Sequence, residues 1–320
     1  MKCSFKAALT AAIFAAGLSA AAGSSFAAEP ESCKKVRFSD VGWTDITATT
    51  AVASVLLEAL GYEPEVQVLS VPVTYTSLKN KDIDVFLGNW MPTMENDIKP
   101  YREDGSVETL GANLEGAKYT LAVPKYIYEA GLKDFGDIAK FRDQLGGRIY
   151  GIEPGNDGNR LILDMISNDK FGLKGFELVE SSEQGMLAQV AKSTKAKEPV
   201  VFLGWEPHPM NANFQMAYLS GGDEVFGPNF GGATVYTNVR KGYVGECPNA
   251  GKLVSNLKFT LGMENEIMGA ILNEGKEGKA AAKDWLKAHP ETVKPWLEGV
   301  TTFDGGDANA AVTKALGSRQ

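Results

Sequence analysis

At 320 residues the chain is long enough for two domains of about 100 to 200 residues each, or for one large one. It carries 32 Lys plus Arg against 40 Asp plus Glu, a net charge of −8, which argues against a nucleic-acid partner and is compatible with a cationic ligand. Two histidines and three cysteines give no cluster with metal-ligand spacing, so neither a metal nor another cofactor is expected.

Residues 1–27 have the layout of a secretory signal peptide: Lys2 and Lys6, an Ala-rich apolar stretch from Ala7 to Ala22, then Ser25-Phe26-Ala27. The mature protein is expected to start near Ala28 and to be exported to the periplasm. A retained N-terminal anchor is the alternative, but the stretch is short and interrupted by Gly17. Removing the leader takes Cys3 with it and leaves Cys33 and Cys247, a pair expected to form a disulfide in an oxidising compartment. Two buried free thiols are the alternative.

From Val36 the pattern predicts strand, helix, strand, helix, strand: Val36–Val41, Thr47–Leu60, Glu65–Leu69, Val73–Asn80 and Ile83–Leu87. Gly61 stops the first helix and Pro72 opens the second, so a parallel sheet covered by helices is expected. A second run repeats the alternation, with strands at Tyr119–Val123, Arg148–Ile152, Glu177–Glu180 and Val200–Leu203, and helices at Asp157–Asp169 and Glu183–Lys192. After a strand at Ala233–Arg240 the chain reads as helical, through Ala250–Leu261, Glu266–Leu272, Ala280–Ala288 and Glu291–Leu297. A Cys33–Cys247 bond would return this tail to the first unit. The expected division is then a discontinuous lobe I of residues 28–115 and 231–320, and an inserted lobe II of residues 116–230, two α/β lobes joined by a hinge. Trp285 and Trp296 fall in the tail and read as packing residues.

The two units share an echo, Val85-Phe86-Leu87-Gly88-Asn89-Trp90 and Val201-Phe202-Leu203-Gly204-Trp205, and the first strand likewise ends in Gly42-Trp43. In open α/β sheets ligands bind beyond the carboxyl ends of the strands. Three tryptophans from two units therefore stand where ligands bind, although any one of them could simply pack over the sheet edge.

Aromatic faces attract cations, and a quaternary ammonium group, which cannot donate hydrogen bonds, suits a cage of rings. Trp43, Trp90 and Trp205 are candidate walls, with Tyr119 at the entry to the second unit a fourth unless it only packs. Asp45, two residues beyond Trp43, would favour a ligand of net positive charge and accept a hydroxyl, while repelling the carboxylate of a betaine; that tilts the choice toward choline. Asp45 could instead cap the following helix. Asn156, in the loop Glu153-Pro154-Gly155-Asn156-Asp157-Gly158-Asn159, could orient a ligand. The same loop could cradle an anion at a helix N-terminus, but it lacks the Lys and Ser or Thr of a nucleotide P-loop.

The Gly-Trp strand ends, the Val-Phe-Leu-Gly-Trp echo, Tyr119 and the Pro-Gly-Asn loop resemble the choline-binding periplasmic proteins of bacterial ABC importers, over the whole mature chain. The resemblance implies a type II periplasmic-binding-protein fold and a monomer that closes its lobes over choline and delivers it to a permease with an ATPase. It also implies four rings around the trimethylammonium group, matched by Trp43, Trp90, Tyr119 and Trp205, with Asp45 and Asn156 on the hydroxyl. The related glycine betaine receptors use aromatic boxes too, and Asp45 separates the two readings. An exported hydrolase is the rival class. It finds little here: only His208 and His289 are available, with no Gly-x-Ser-x-Gly elbow and no His-Glu-x-x-His. His208, between Pro207 and Pro209, reads as a loop-packing residue.

Overall fold

A computed structural model describes residue 1 and residues 29–317; the expected leader, apart from Met1, and the start near Ala28 lie outside the described residues. The first unit runs β1 (Lys35–Asp40), α1 (Thr44–Ala59), β2 (Glu63–Val68), α2 (Val71–Asn80), β3 (Val85–Met91) and α3 (Glu95–Glu103), then the long strand β4 (Val107–Pro124). The second runs β5 (Arg148–Tyr150), α4 (Asp157–Ser167), β6 (Glu177–Val179), α5 (Glu183–Ala196), β7 (Phe202–Glu206) and β8 (Met216–Tyr218), followed by β9 (Gly232–Arg240). The chain ends in α6 (Pro248–Asn256), α7 (Leu261–Leu272), α8 (Gly278–Ala288), α9 (Pro290–Trp296) and α10 (Ala308–Leu316).

The strands form one sheet in the order β2-β1-β3-β9-β4-β7-β5-β6, with β8 also on β4. Each half has the same plan. In the first, β2 and β3 run parallel to β1 and β9 is antiparallel to β3; in the second, β6 and β7 run parallel to β5 and β4 is antiparallel to β7. The sheet is therefore mixed, not the wholly parallel one expected. The two antiparallel strands are those that carry the chain between the halves. Strand β4 pairs with β9 from Val107 to Lys118, and from Lys118 to Pro124 it pairs with β7 and β8. Only Tyr119–Val123 of it was predicted, because Gly111, Asn113 and Gly116 break the alternation of its first half and the ladder shifts register there.

Strand β1 buries Val36 and Phe38 and, at its carboxyl end, Ser39 and Asp40, and both faces of α1 carry small or aliphatic residues that are mostly buried. Both faces of α1 are covered because α8, α7 and α10 of the tail pack on it. The disulfide Cys33–Cys247, with Cα atoms 5.5 Å apart, joins the start of β1 to the N-cap of α6. Trp296 is fully buried as a packing residue, and Trp285 stacks on His289 with ring centroids 4.1 Å apart. Several helix limits differ from expectation, among them the start of α7 at Leu261 instead of Glu266 and the end of α5 at Ala196 instead of Lys192. Helix α1 starts at Thr44 with Trp43 as N-cap, so Asp45 is a first-turn residue and not the cap. The helix expected over Ala250–Leu261 stops at Asn256, and Thr260 caps a new one by accepting the Met263 N–H.

Candidate functional site

The carboxyl ends of the two halves meet over β4 and β9, and there Trp43, Asp45, Trp90, Tyr119, Ile152 and Trp205 line one cavity with about 250 Å³ of atom-free space, its mouth included. Its enclosed part is only about 10 Å³, the room of about one water molecule, so the rings stand close together.

Each wall is set by local structure. At the end of β1, the Asp40 carboxylate accepts the Gly42 N–H (2.7 Å) and the Thr47 hydroxyl (2.7 Å), holding the turn that presents Trp43 at the head of α1. The Trp43 indole N–H donates across the cavity mouth to Glu153 Oε1 (2.8 Å). Trp90 ends β3 and its indole N–H donates to Asp45 Oδ2 (3.2 Å). Tyr119 and Trp205 face each other as a cross-strand pair of β4 and β7, the spacing at which side chains on one face meet. The Tyr119 centroid lies 6.1 Å from that of Trp90 and 6.2 Å from that of Trp205, with interplanar angles of 62° and 80°. Steeply inclined rings of this kind form walls rather than a stack.

Tyr119 is held from behind. Its hydroxyl donates to Asn156 Oδ1 (2.8 Å), and the same oxygen caps α4 by accepting the Asn159 N–H (3.1 Å). The Asn156 amide nitrogen donates to Asp157 Oδ1 (3.2 Å). Gly158 has to be glycine for this arrangement, since a Cβ there would fall 2.1 Å from the Tyr119 hydroxyl. Five of the six residues singled out in the sequence thus line the cavity, and Asn156 stands one layer back, fixing the ring of Tyr119.

The electrostatics are those of buried acids. Asp45 is 2 % exposed; Oδ2 has the Trp90 N–H, and Oδ1 has no hydrogen-bond partner among the described residues. Burial, and then the charge of Glu183, push its carboxyl up to about 8. Glu264, reaching in from α7, is raised well above the ordinary carboxylate range by burial and by Asp45. Burial also lifts Glu153 to about 7. A cation entering between the rings would favour the ionised form of Asp45, and a ligand hydroxyl could donate to its unpaired oxygen.

Sequence reasoning missed Ile152, Glu153, Glu183 and Glu264. Glu153 was visible as part of the loop before α4, but Glu183 only began an expected helix and Glu264 fell between two expected helices, with nothing local to mark either. His208 is fully buried behind the wall, edge-on to Trp205 with centroids 4.9 Å apart.

The family of substrate-binding domains of ABC-type glycine betaine transport systems matches residues 34–288. The chain belongs to that family. A structure of an ABC-transporter choline-binding protein in complex with choline is 71 % identical over 90 % of this chain and 100 % of that one, with a TM-score of 0.89. One of an ABC-transporter choline-binding protein in an unliganded semi-closed conformation has the same identity and coverage and a TM-score of 0.83. Lactococcal OpuAC, closed and complexed with glycine betaine, is 28 % identical over 82 % of this chain and 98 % of that one, with a TM-score of 0.74. As a member of this family the chain has an α/β fold of the kind found in periplasmic binding proteins, and the cavity lies where its two halves face each other.

Proposed function

We propose that the protein is a periplasmic solute-binding protein that captures choline and delivers it to the permease and ATPase of an ABC importer, acting as a monomer and not as an enzyme. Trp43, Trp90, Tyr119 and Trp205 surround the trimethylammonium group, Asp45 accepts the hydroxyl, and Asn156 fixes Tyr119. Residues 28–115 with 231–320 form one lobe and 116–230 the other, and they close on the ligand because each contributes walls. The change of partner along β4 at Lys118 supports that division.

The observation that carries the reading is an aromatic cavity whose one lining carboxyl is buried with an oxygen unpaired among the described residues. A desolvated cation–π contact contributes up to about 2 kcal/mol and micromolar affinity requires about 8 kcal/mol, so four rings and a hydroxyl bond suffice. Family membership and the resemblance to the choline complex point the same way. Glycine betaine, the ligand named for the family, is the second reading; Asp45 weighs against it because it would meet the betaine carboxylate. A hydrolase has less support, since both ring nitrogens of His208 are engaged by protein groups.

Calorimetric titration of protein unfolded and refolded to strip carried ligand tests the proposal. Saturable one-to-one binding of choline, much tighter than glycine betaine, is expected. Tighter betaine binding would transfer the protein to the betaine-binding branch, and no heat from either would overturn the quaternary-ammonium reading.

A further inference from the structure

Glu183, the first residue of α5, is 1 % exposed and lies outside the cavity lining. Its carboxylate nevertheless reaches the head of α1, 139 residues away in sequence. Oε2 accepts the Thr44 backbone N–H (2.8 Å), one of the N–H groups a helix N-terminus leaves without an internal partner. Oε1 accepts the Thr44 hydroxyl (2.5 Å) and lies 3.1 Å from His208 Nε2. The direction of the last bond follows from the other ring nitrogen. His208 Nδ1 accepts the Met210 N–H (2.9 Å), so Nε2 carries the proton and donates to Glu183.

One carboxylate thereby joins the residue next to Trp43 to the ring that backs Trp205, in the order Trp43, Thr44, Glu183, His208, Trp205. A buried carboxylate is held only where donors and a favourable field surround it, and here the positive end of α1 and three donors do so. Thr44 falls in the proposed first lobe; Glu183 and His208 fall in the second. The bond to His208 exists within one lobe, whereas the two bonds to Thr44 form only when the lobes meet.

Resting on the choline reading, we infer that Glu183 is a positioning residue that latches the closed protein. It docks on the N-terminus of α1 only when Trp43 and Trp205 stand at the separation the ligand demands, and it sets how long the ligand is retained. Such a contact, made only in the closed state, acts on release rather than on encounter.

The test measures choline dissociation by stopped-flow tryptophan fluorescence for wild type, Glu183→Gln, Thr44→Val and the double variant. In Glu183→Gln the retained oxygen still serves His208 and the Thr44 hydroxyl, while the new amide sets a donor against the Thr44 N–H. Release is expected to be about tenfold faster in Glu183→Gln and about fivefold faster in Thr44→Val, with association within about twofold of wild type. The double variant should fall short of the product of the two, because both act on one bridge. Thr44→Val should lower the melting temperature of the choline-bound protein more than that of the choline-free protein, since the bridge belongs to the closed form. Unchanged release in Thr44→Val, multiplicative effects, or equal losses of stability with and without choline would each overturn the latch; Thr44→Val carries this test alone if Glu183→Gln fails to fold. Wild type that does not bind choline overturns the functional reading together with the latch, whereas wild type that binds normally with variants that release no faster overturns the latch alone.

Discussion

Replacing Asp45 by Asn keeps the size and shape of the side chain and removes its charge. In a cavity this buried the charge is weakly screened: a quaternary nitrogen about 5 Å from the carboxylate, at an effective dielectric of about 20, gains about 3 kcal/mol. In the closed cavity burial holds the Asp45 carboxyl at about 8, so at neutral pH ionising it there for the ligand costs about 1.4 kcal/mol, the equivalent of one pKa unit. The difference, about 2 kcal/mol, makes Asp45→Asn about 10- to 30-fold weaker for choline near pH 7. The pH dependence follows from the sign of the shift. The bound cation lowers the pKa below that of the free site, so binding releases a proton, and wild-type affinity rises with pH up to about 8 before levelling. Above that the ionisation cost is gone, and the wild-type advantage over Asp45→Asn should grow to about 100-fold. Glycine betaine brings its own carboxylate and favours the protonated form of Asp45, so its affinity for wild type relative to Asp45→Asn should fall as the pH rises above about 8. Calorimetry at about pH 6, 7 and 9, in buffers of different ionisation enthalpy, measures affinity and protons released together. Equal losses for choline and betaine, or a variant-to-wild-type ratio flat across that range, would refute the assignment of Asp45 as the charge filter.

Three further outcomes are expected. Trp205→Leu keeps an apolar wall but loses the ring face, so choline binding measured by calorimetry should weaken by about 1–2 kcal/mol, with the fold intact by circular dichroism. Gly231→Ala should lower the melting temperature markedly, with a loss of about 2 kcal/mol or more, because Gly231 has φ +72° and a Cβ there would lie 2.1 Å from the Tyr119 carbonyl oxygen. Removing the disulfide with Cys33→Ser and Cys247→Ser opens a link across 214 residues, worth about 5 kcal/mol on the chain-entropy account; denaturant melts with and without reductant should show a matching loss in wild type and none in the double variant.

The sequence by itself determined the alternation of strands and helices, the Trp residues at strand ends, the cysteine pair and the acid beside Trp43. These signals are local: hydrophobic period, a Gly-Trp step, or the short count of cysteines allows them to be read without knowing what packs on what. Only the tertiary structure decided that β4 and β9 run antiparallel through the middle of the sheet, because a strand's sense depends on its partner and the first half of β4 lacks alternation. It also decided the roles of the supporting residues. Asn156, read as a group that could orient a ligand, hydrogen-bonds Tyr119, while Glu183 and Glu264, whose roles were not legible in the sequence, are buried around α1. An acid at a helix start is written the same way whether it faces water or another helix. For Glu183 that environment comes from His208, 25 positions away, and from Thr44, 139 away, and the distance is closed only by folding.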